Sequence, residues 1–148
     1  MSNRPLSWSA ALRELKADRL ARLAVREEPL RTAGRFHGIP PIPISAWRGR
    51  SGRRFVVVVH DLDTPDLVTE QAAIVLVVAR DIGECARLIA VRACEAGDPG
   101  YLGWLAACAR LGVREVHAHR LARSAAERAA IAADLTEPFA MPILRAPR

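Results

Sequence analysis

With 148 residues, 51% of them apolar and 26% charged, the chain is long enough for one hydrophobic core and too apolar for a disordered polymer. No apolar run approaches the roughly 18 residues that span a bilayer, and charges interrupt the N-terminus where an export signal needs its apolar stretch. A cytoplasmic protein with no membrane partner is therefore expected, its three cysteines reduced and unpaired because none forms a CxxC set.

The net charge of +6 and an isoelectric point near 10.5 point toward polyanions. Lys16 is the single lysine, so the total is a bias toward arginine that a GC-rich genome produces without functional demand. A local excess is harder to dismiss. Arg48, Arg50, Arg53 and Arg54 share one short segment that contains no acid.

In chain order, Ser7–Val25 reads as a helix with Trp8, Leu12, Leu15 and Leu23 on one broad side, although Lys16 and Arg19 intrude. Residues 29–43 carry Gly34, Gly38, Pro40, Pro41 and Pro43, which predicts an extended linker. A boundary here separates an arm, residues 1–43, from an α+β domain, residues 44–148. The arm is expected to dock on the domain or on a protein partner.

Ile44–Arg48 and Arg53–His60 read as strands joined at Gly49-Arg50-Ser51-Gly52, a tight turn in which a glycine accommodates positive φ. The run Phe55–Val59 is apolar throughout and predicts a strand covered on both faces. An acidic loop, Asp61–Thr69, leads into a second hairpin. Its strands are Ala73–Arg80 and Ala86–Arg92, closed by Asp81-Ile82-Gly83-Glu84.

Gly97, Pro99 and Gly100 precede a helix over Tyr101–Leu111, with Leu102, Leu105, Ala106 and Ala109 expected to face inward and Gly112 placed as its C-terminal cap. Tyr101, Trp104 and Cys108 also fall at helical spacing and read as core. Val113–Leu121 is a strand with Val116 and Ala118 on one face and His117 and His119 on the other. Ser124 and Glu127 form a capping box for a helix carrying Ile131 and Leu135, and Phe139–Arg148 reads as an extended strap. Tight hairpins followed by helix, strand and helix predict a mainly antiparallel sheet with packed helices.

From Ser45 onward this order resembles the GIY-YIG nuclease superfamily, with Ala73-Ile74-Val75 and Ile89-Ala90-Val91 in place of the two signature strands. The later segment 127–144 resembles the family's closing stretch, and Ile44–Val59 is similar to a leading strand pair in some bacterial relatives. The resemblance implies a scaffold without its chemistry. Val75 and Ile89 stand where the family has tyrosines, Val91 replaces a glycine, Ala132 falls at the metal-ligating glutamate, and Arg145 takes the place of an asparagine after Pro142. Arg110 lies near the wrong end of its helix to replace the helix arginine. Phosphodiester cleavage needs charge stabilisation on the phosphate and a group that activates water, so no catalytic residue, metal or cofactor is expected.

Two further constellations carry chemistry. His117-x-His119 has a spacing that can hold zinc, with His60 approaching through the sheet; two solvent-facing or partner-facing histidines are the plainer reading. Cys94 has Arg92 nearby to lower its pKa but no adjacent base. The basic turn is the stronger candidate. Arg48, Arg50, Arg53 and Arg54 can grip phosphates bidentately while Trp47 stacks on a base. The sequence thus predicts a non-catalytic module that binds nucleic acid through these five residues, or alternatively an accessory subunit that uses its N-terminal helix against a larger complex.

Overall fold

The computed structural model describes residues 7–30 and 43–136. They form an α+β fold in which a six-stranded antiparallel sheet curls between helices. Helix α1 (Trp8–Leu23) leads into the short strand β1 (Arg26–Glu27), which lies on the arm side of the expected boundary and pairs with β2 (Ile44–Arg48). Then follow β3 (Arg54–Asp61), a 3-10 turn (Pro65–Thr69), β4 (Ala73–Arg80), β5 (Ala86–Cys94), α2 (Tyr101–Ala109), β6 (Glu115–His119) and α3 (Ala125–Leu135). Most of the expected linker, and the strap at Phe139–Arg148, fall outside the described residues.

The sheet order is β1-β2-β3-β6-β4-β5. Strand β4 therefore lies between β6 and β5 with helices on both sides, which explains its unbroken apolar sequence. Ala73, Val75 and Val77 face a cluster built with Val68, Cys94, Tyr101, Trp104, Leu105 and Cys108 under α2. Ile74, Leu76 and Val78 face Trp47, Phe55, Val57, Ile131 and Leu135 under α3. Each fully buried Val, Leu or Ile contributes about 1.5–3 kcal/mol, so this one strand anchors two cores.

Strand β3 has the same kind of sequence and a different fate. Its expected cover on both faces is absent: Phe55 and Val57 are buried under α3, whereas Val56 is 41% exposed and Val58 half-buried. On that side β3 is covered only in part, where the 3-10 turn Pro65–Thr69 contacts it. Apolar runs report propensity for a strand more reliably than position in a sheet.

Helix α2 docks through Tyr101, Trp104 and Cys108, which the sequence read as core, together with Leu105, and three of the four residues expected on its inward face are not there. Tyr101, Trp104, Leu105 and Cys108 turn inward, while Leu102, Ala106 and Ala109 are exposed. The two aromatic rings bury more apolar surface than the leucine and alanines they displace, and that decides which face docks. Gly112 takes φ +79° after α2, as a glycine cap requires. At α3, Ser124 Oγ accepts from Glu127 N at 3.1 Å, and Glu127 Oε2 accepts from Arg123 N at 2.7 Å.

Candidate functional site

The turn between β2 and β3 is fastened to the far end of α3. Asp134 accepts from Ser51 N at 2.8 Å and from Ser51 Oγ at 2.7 Å, and its carbonyl accepts from Arg50 N at 3.0 Å. Gly49 passes so close that a Cβ there would lie 2.1 Å from an Asp134 oxygen, and Gly52 adopts φ +85°. One glycine therefore serves close approach and the other a left-handed turn. The Asp134 carboxylate, two residues after Ala132, is spent on this latch.

The five residues expected to bind nucleic acid divide sharply. Trp47 is 1% exposed, and its Nε1 donates to His117 Nδ1 at 2.9 Å, leaving no ring face for a base. Arg48 is held bidentately by Glu28 and donates to the Gly52 carbonyl at 2.6 Å. Arg54 also reaches Glu28, at 3.0 Å. The Arg48 hydrogen bond, assisted by Arg54 and Arg26, holds the Glu28 carboxyl below the usual range. The segment contains no acid in sequence, yet it receives Glu28, the residue that follows β1.

Arg50 and Arg53 remain exposed, with no carboxylate within ion-pair distance among the described residues. Arg53 lies over the Phe55 ring, 5.3 Å from its centroid. Their positions follow from the latch below them.

The histidines are buried, not solvent-facing. Because an indole N–H only donates, Trp47 makes His117 Nδ1 an acceptor and places the imidazole proton on Nε2. That proton is donated to Glu115 Oε2 at 2.7 Å. Glu115 is bound in turn by Arg80, whose guanidinium also reaches Glu27 at 2.6 Å, and Glu27 accepts from Ser45 Oγ at 2.8 Å. Burial lowers the His117 pKa against the opposing pull of Glu115. Burial pushes Glu115 up, but its bonds to Arg80 and His117 prevail and its pKa falls below the ordinary value. Arg80, bonded first to Glu115 and then to Glu27, is raised.

This chain of polar groups crosses β1, β2, β4 and β6 at the edge of the α3-side core. Sequence reading missed Glu27, Ser45, Arg80 and Glu115. The available signals were Arg80 at the next core-facing alternate position of β4 and the alternation Glu115-x-His117-x-His119.

The zinc geometry is not assembled. Both His117 nitrogens are engaged, and His119 Nδ1 donates to the Val56 carbonyl at 2.7 Å. His60 pairs with Val116 and so lies on the opposite sheet face from His117. No group of three or more metal-binding side chains occurs among the described residues.

Cys94 also departs from expectation. Burial pushes its thiol up to about 12, outweighing Arg92, whose guanidinium is engaged by Asp98. At the positions of the resemblance, Val75 is fully buried and Ile89 packs on the same α2-side cluster, while Val91 and Ala132 pack on the α3 side. Arg110 is exposed at the end of α2.

The outer surface of α1 is apolar in part. Trp8 is 80% exposed, Leu12 51% and Leu15 64%, at i, i+4 and i+7. No described helix is long and apolar enough to cross a membrane. Comparisons with known protein families, with curated proteins and with solved structures return no match.

Proposed function

We propose that this chain is a cytoplasmic, non-catalytic binding module on a degenerate GIY-YIG-like scaffold, and that it contacts nucleic acid through Arg50 and Arg53. The observation that carries the reading is the latch at Asp134. It fixes the turn on α3, so two arginines with no carboxylate partner among the described residues are presented from a rigid base. A pre-organised cation loses less entropy on binding phosphate than one on a free loop. Arg48 and Arg54 build the turn through Glu28, and Trp47 supports it from the core. The apolar packing of Val75 and Ile89 supports a scaffold without nuclease chemistry.

Anisotropy titrations with short duplex DNA and RNA, at low and moderate salt with magnesium present, test this reading. Replacing both Arg50 and Arg53 with alanine weakens binding and reduces the slope of log affinity against log salt by about 2. Binding that keeps its salt slope in the double variant overturns the site. Strand cleavage that persists through purification overturns the non-catalytic reading.

A second reading is an accessory subunit that docks a larger protein complex through α1, favoured by the exposed row Trp8, Leu12 and Leu15. Serine at all three positions leaves nucleic-acid binding intact and abolishes capture of that complex. Capture unchanged by the triple variant removes α1 from the interface.

A further inference from the structure

Helix α1 holds its apolar row in solvent. Trp8, Leu12 and Leu15 are exposed, and no described strand or helix buries them. An isolated helix of 16 residues is marginal in water, so one that keeps its apolar side wet is stabilised by whatever covers it. The next position along the same row is Arg19, which is also exposed. Eleven residues on from Trp8, at about 100° each, it returns to within about 20° of the same side. Arg19 thus ends a stripe of Trp8, Leu12, Leu15 and Arg19 that runs for about 17 Å along the helix.

Two properties of the stripe select what covers it. Its members stand four, three and four residues apart, a spacing that reads the same from either end. Its ends are an indole and a guanidinium, and a cation is attracted to the face of an indole ring. A second copy of α1 laid antiparallel, with the two-fold axis between Leu12 and Leu15, sets Leu12 of each copy against Leu15 of the other. The same operation sets Trp8 of each copy against Arg19 of the other. A parallel pair has no such match, because it opposes Arg19 to Arg19 and like charges repel.

We infer that α1 is a self-association element through which two copies of this chain form an antiparallel, two-fold symmetric dimer. The leucines supply the apolar contact, and the Trp8–Arg19 pairs fix its direction and register. So few side chains make a contact well below the size of a permanent dimer interface. Association is therefore weak, with a dissociation constant on the order of 10 μM. The accessory-subunit reading uses the same surface, but here the occupant is a second copy of the chain, and each assignment can fail without the other.

The test is sedimentation velocity of the full chain at concentrations from about 1 to about 200 μM, which bracket that constant. Wild type shifts from monomer to dimer as concentration rises. Leu12→Glu combined with Leu15→Glu stays monomeric throughout. At the lowest concentration this variant keeps the wild-type unfolding midpoint, because both side chains are exposed in the single chain, so lost association is not lost folding. Trp8→Glu and Trp8→Arg decide the orientation. Antiparallel pairing brings either replacement against Arg19 of the other copy, so the acid is attracted and the base repelled. Trp8→Glu therefore dimerises about tenfold more tightly than Trp8→Arg. The same two substitutions at Ala10, on the opposite side of α1, carry the same effect of charge at the helix end and leave association unchanged. Equal association of Trp8→Glu and Trp8→Arg overturns the antiparallel pairing. A wild type that remains monomeric, yet captures a larger complex through this row, overturns the dimer and leaves the accessory-subunit reading standing.

Discussion

The two faces of β6 show how one short strand can build two different interiors. Val116 and Ala118 enter the cluster under α2, where the neighbours are aliphatic, aromatic or thiol groups. Glu115, His117 and His119 turn to the α3 side, where a polar chain from Trp47 to Ser45 borders an apolar cluster. Both sides exclude water, but different terms hold them. The α2 side depends on volume and area, which are tolerant of exact partner geometry. The α3 side also depends on every charge keeping its partner, since a buried polar group that loses one is penalised in full.

The largest effect expected from this contrast follows removal of Arg80. Among the described residues its guanidinium is the one cation that bridges Glu27 and Glu115, with the Glu27 side chain almost wholly buried. Arg80→Ala leaves two carboxylates facing each other and costs about 3 kcal/mol. Urea unfolding reads this directly. Replacing Glu27 and Glu115 with glutamine in the same background restores much of the loss, because the repulsion is then gone. A single Arg80→Ala change that costs no more than an average surface substitution would show that the relay is not holding this edge of the sheet.

The elements of this fold were legible in the sequence wherever local chemistry sets them. Alternating or continuous apolar runs marked β2 to β6, glycines marked the turn at 49–52 and the end of α2, and Ser124 with Glu127 marked the start of α3. What the sequence did not disclose was partnership between distant residues. The basic segment looked uncompensated because Glu28 lies 20 residues away from Arg48 in the chain. The histidines looked like surface groups because the partner of His117 is Trp47, 70 positions earlier. Of the five residues expected to bind, Trp47 is buried and Arg48 and Arg54 meet Glu28, whereas Arg50 and Arg53 stay exposed with no carboxylate at ion-pair distance among the described residues, a division set by contacts that no local window contains. On α2 the core reading of Tyr101, Trp104 and Cys108 holds while the inward reading of Leu102, Ala106 and Ala109 does not, because two apolar faces were available and tertiary packing chose between them.

An intermediate effect comes from pH, and it bears on the two sides in opposite directions. His117 has its pKa lowered by burial, so below about pH 6.5, the ordinary histidine value, the unfolded chain takes up a proton that the folded one resists. The stabilisation is present above that pH and is lost as pH falls, by at most about 1.4 kcal/mol per pH unit for one such group. His60 shifts the same way through burial and then Arg120, so the contribution of His117 must be read by difference. His117→Gln is the informative variant. Its amide can accept from Trp47 and donate to Glu115 without titrating, so stability near pH 8 is largely kept while the decline between pH 6.5 and 5 becomes shallower. An unchanged acid limb in His117→Gln would mean that His117 does not resist protonation as its bond to Trp47 requires.

The smallest effect probes the α2 side and should show no acid limb at all. Cys108 is fully buried among Trp104, Leu105 and Val113, with no charge to satisfy, and acts there as a small apolar filler. Cys108→Ala removes one sulfur atom and costs about 1 kcal/mol, constant between pH 5 and 8. At alkaline pH the sign of the comparison changes. Burial pushes the thiol from 9.0 up to about 11, so as pH rises above about 9 the unfolded chain ionises at Cys108 while the folded chain holds its proton. Both proteins lose stability in alkali through buried Cys94 and Tyr101, but wild type carries the additional loss at Cys108, so the gap between them narrows as pH climbs. Unfolding midpoints for the two proteins at pH 7, 9 and 10.5 distinguish a dry, volume-limited interior from one that depends on hidden polarity. A gap that widens in alkali would place Cys108 beside a cation that favours the thiolate, and the contrast between the two faces of β6 would fail.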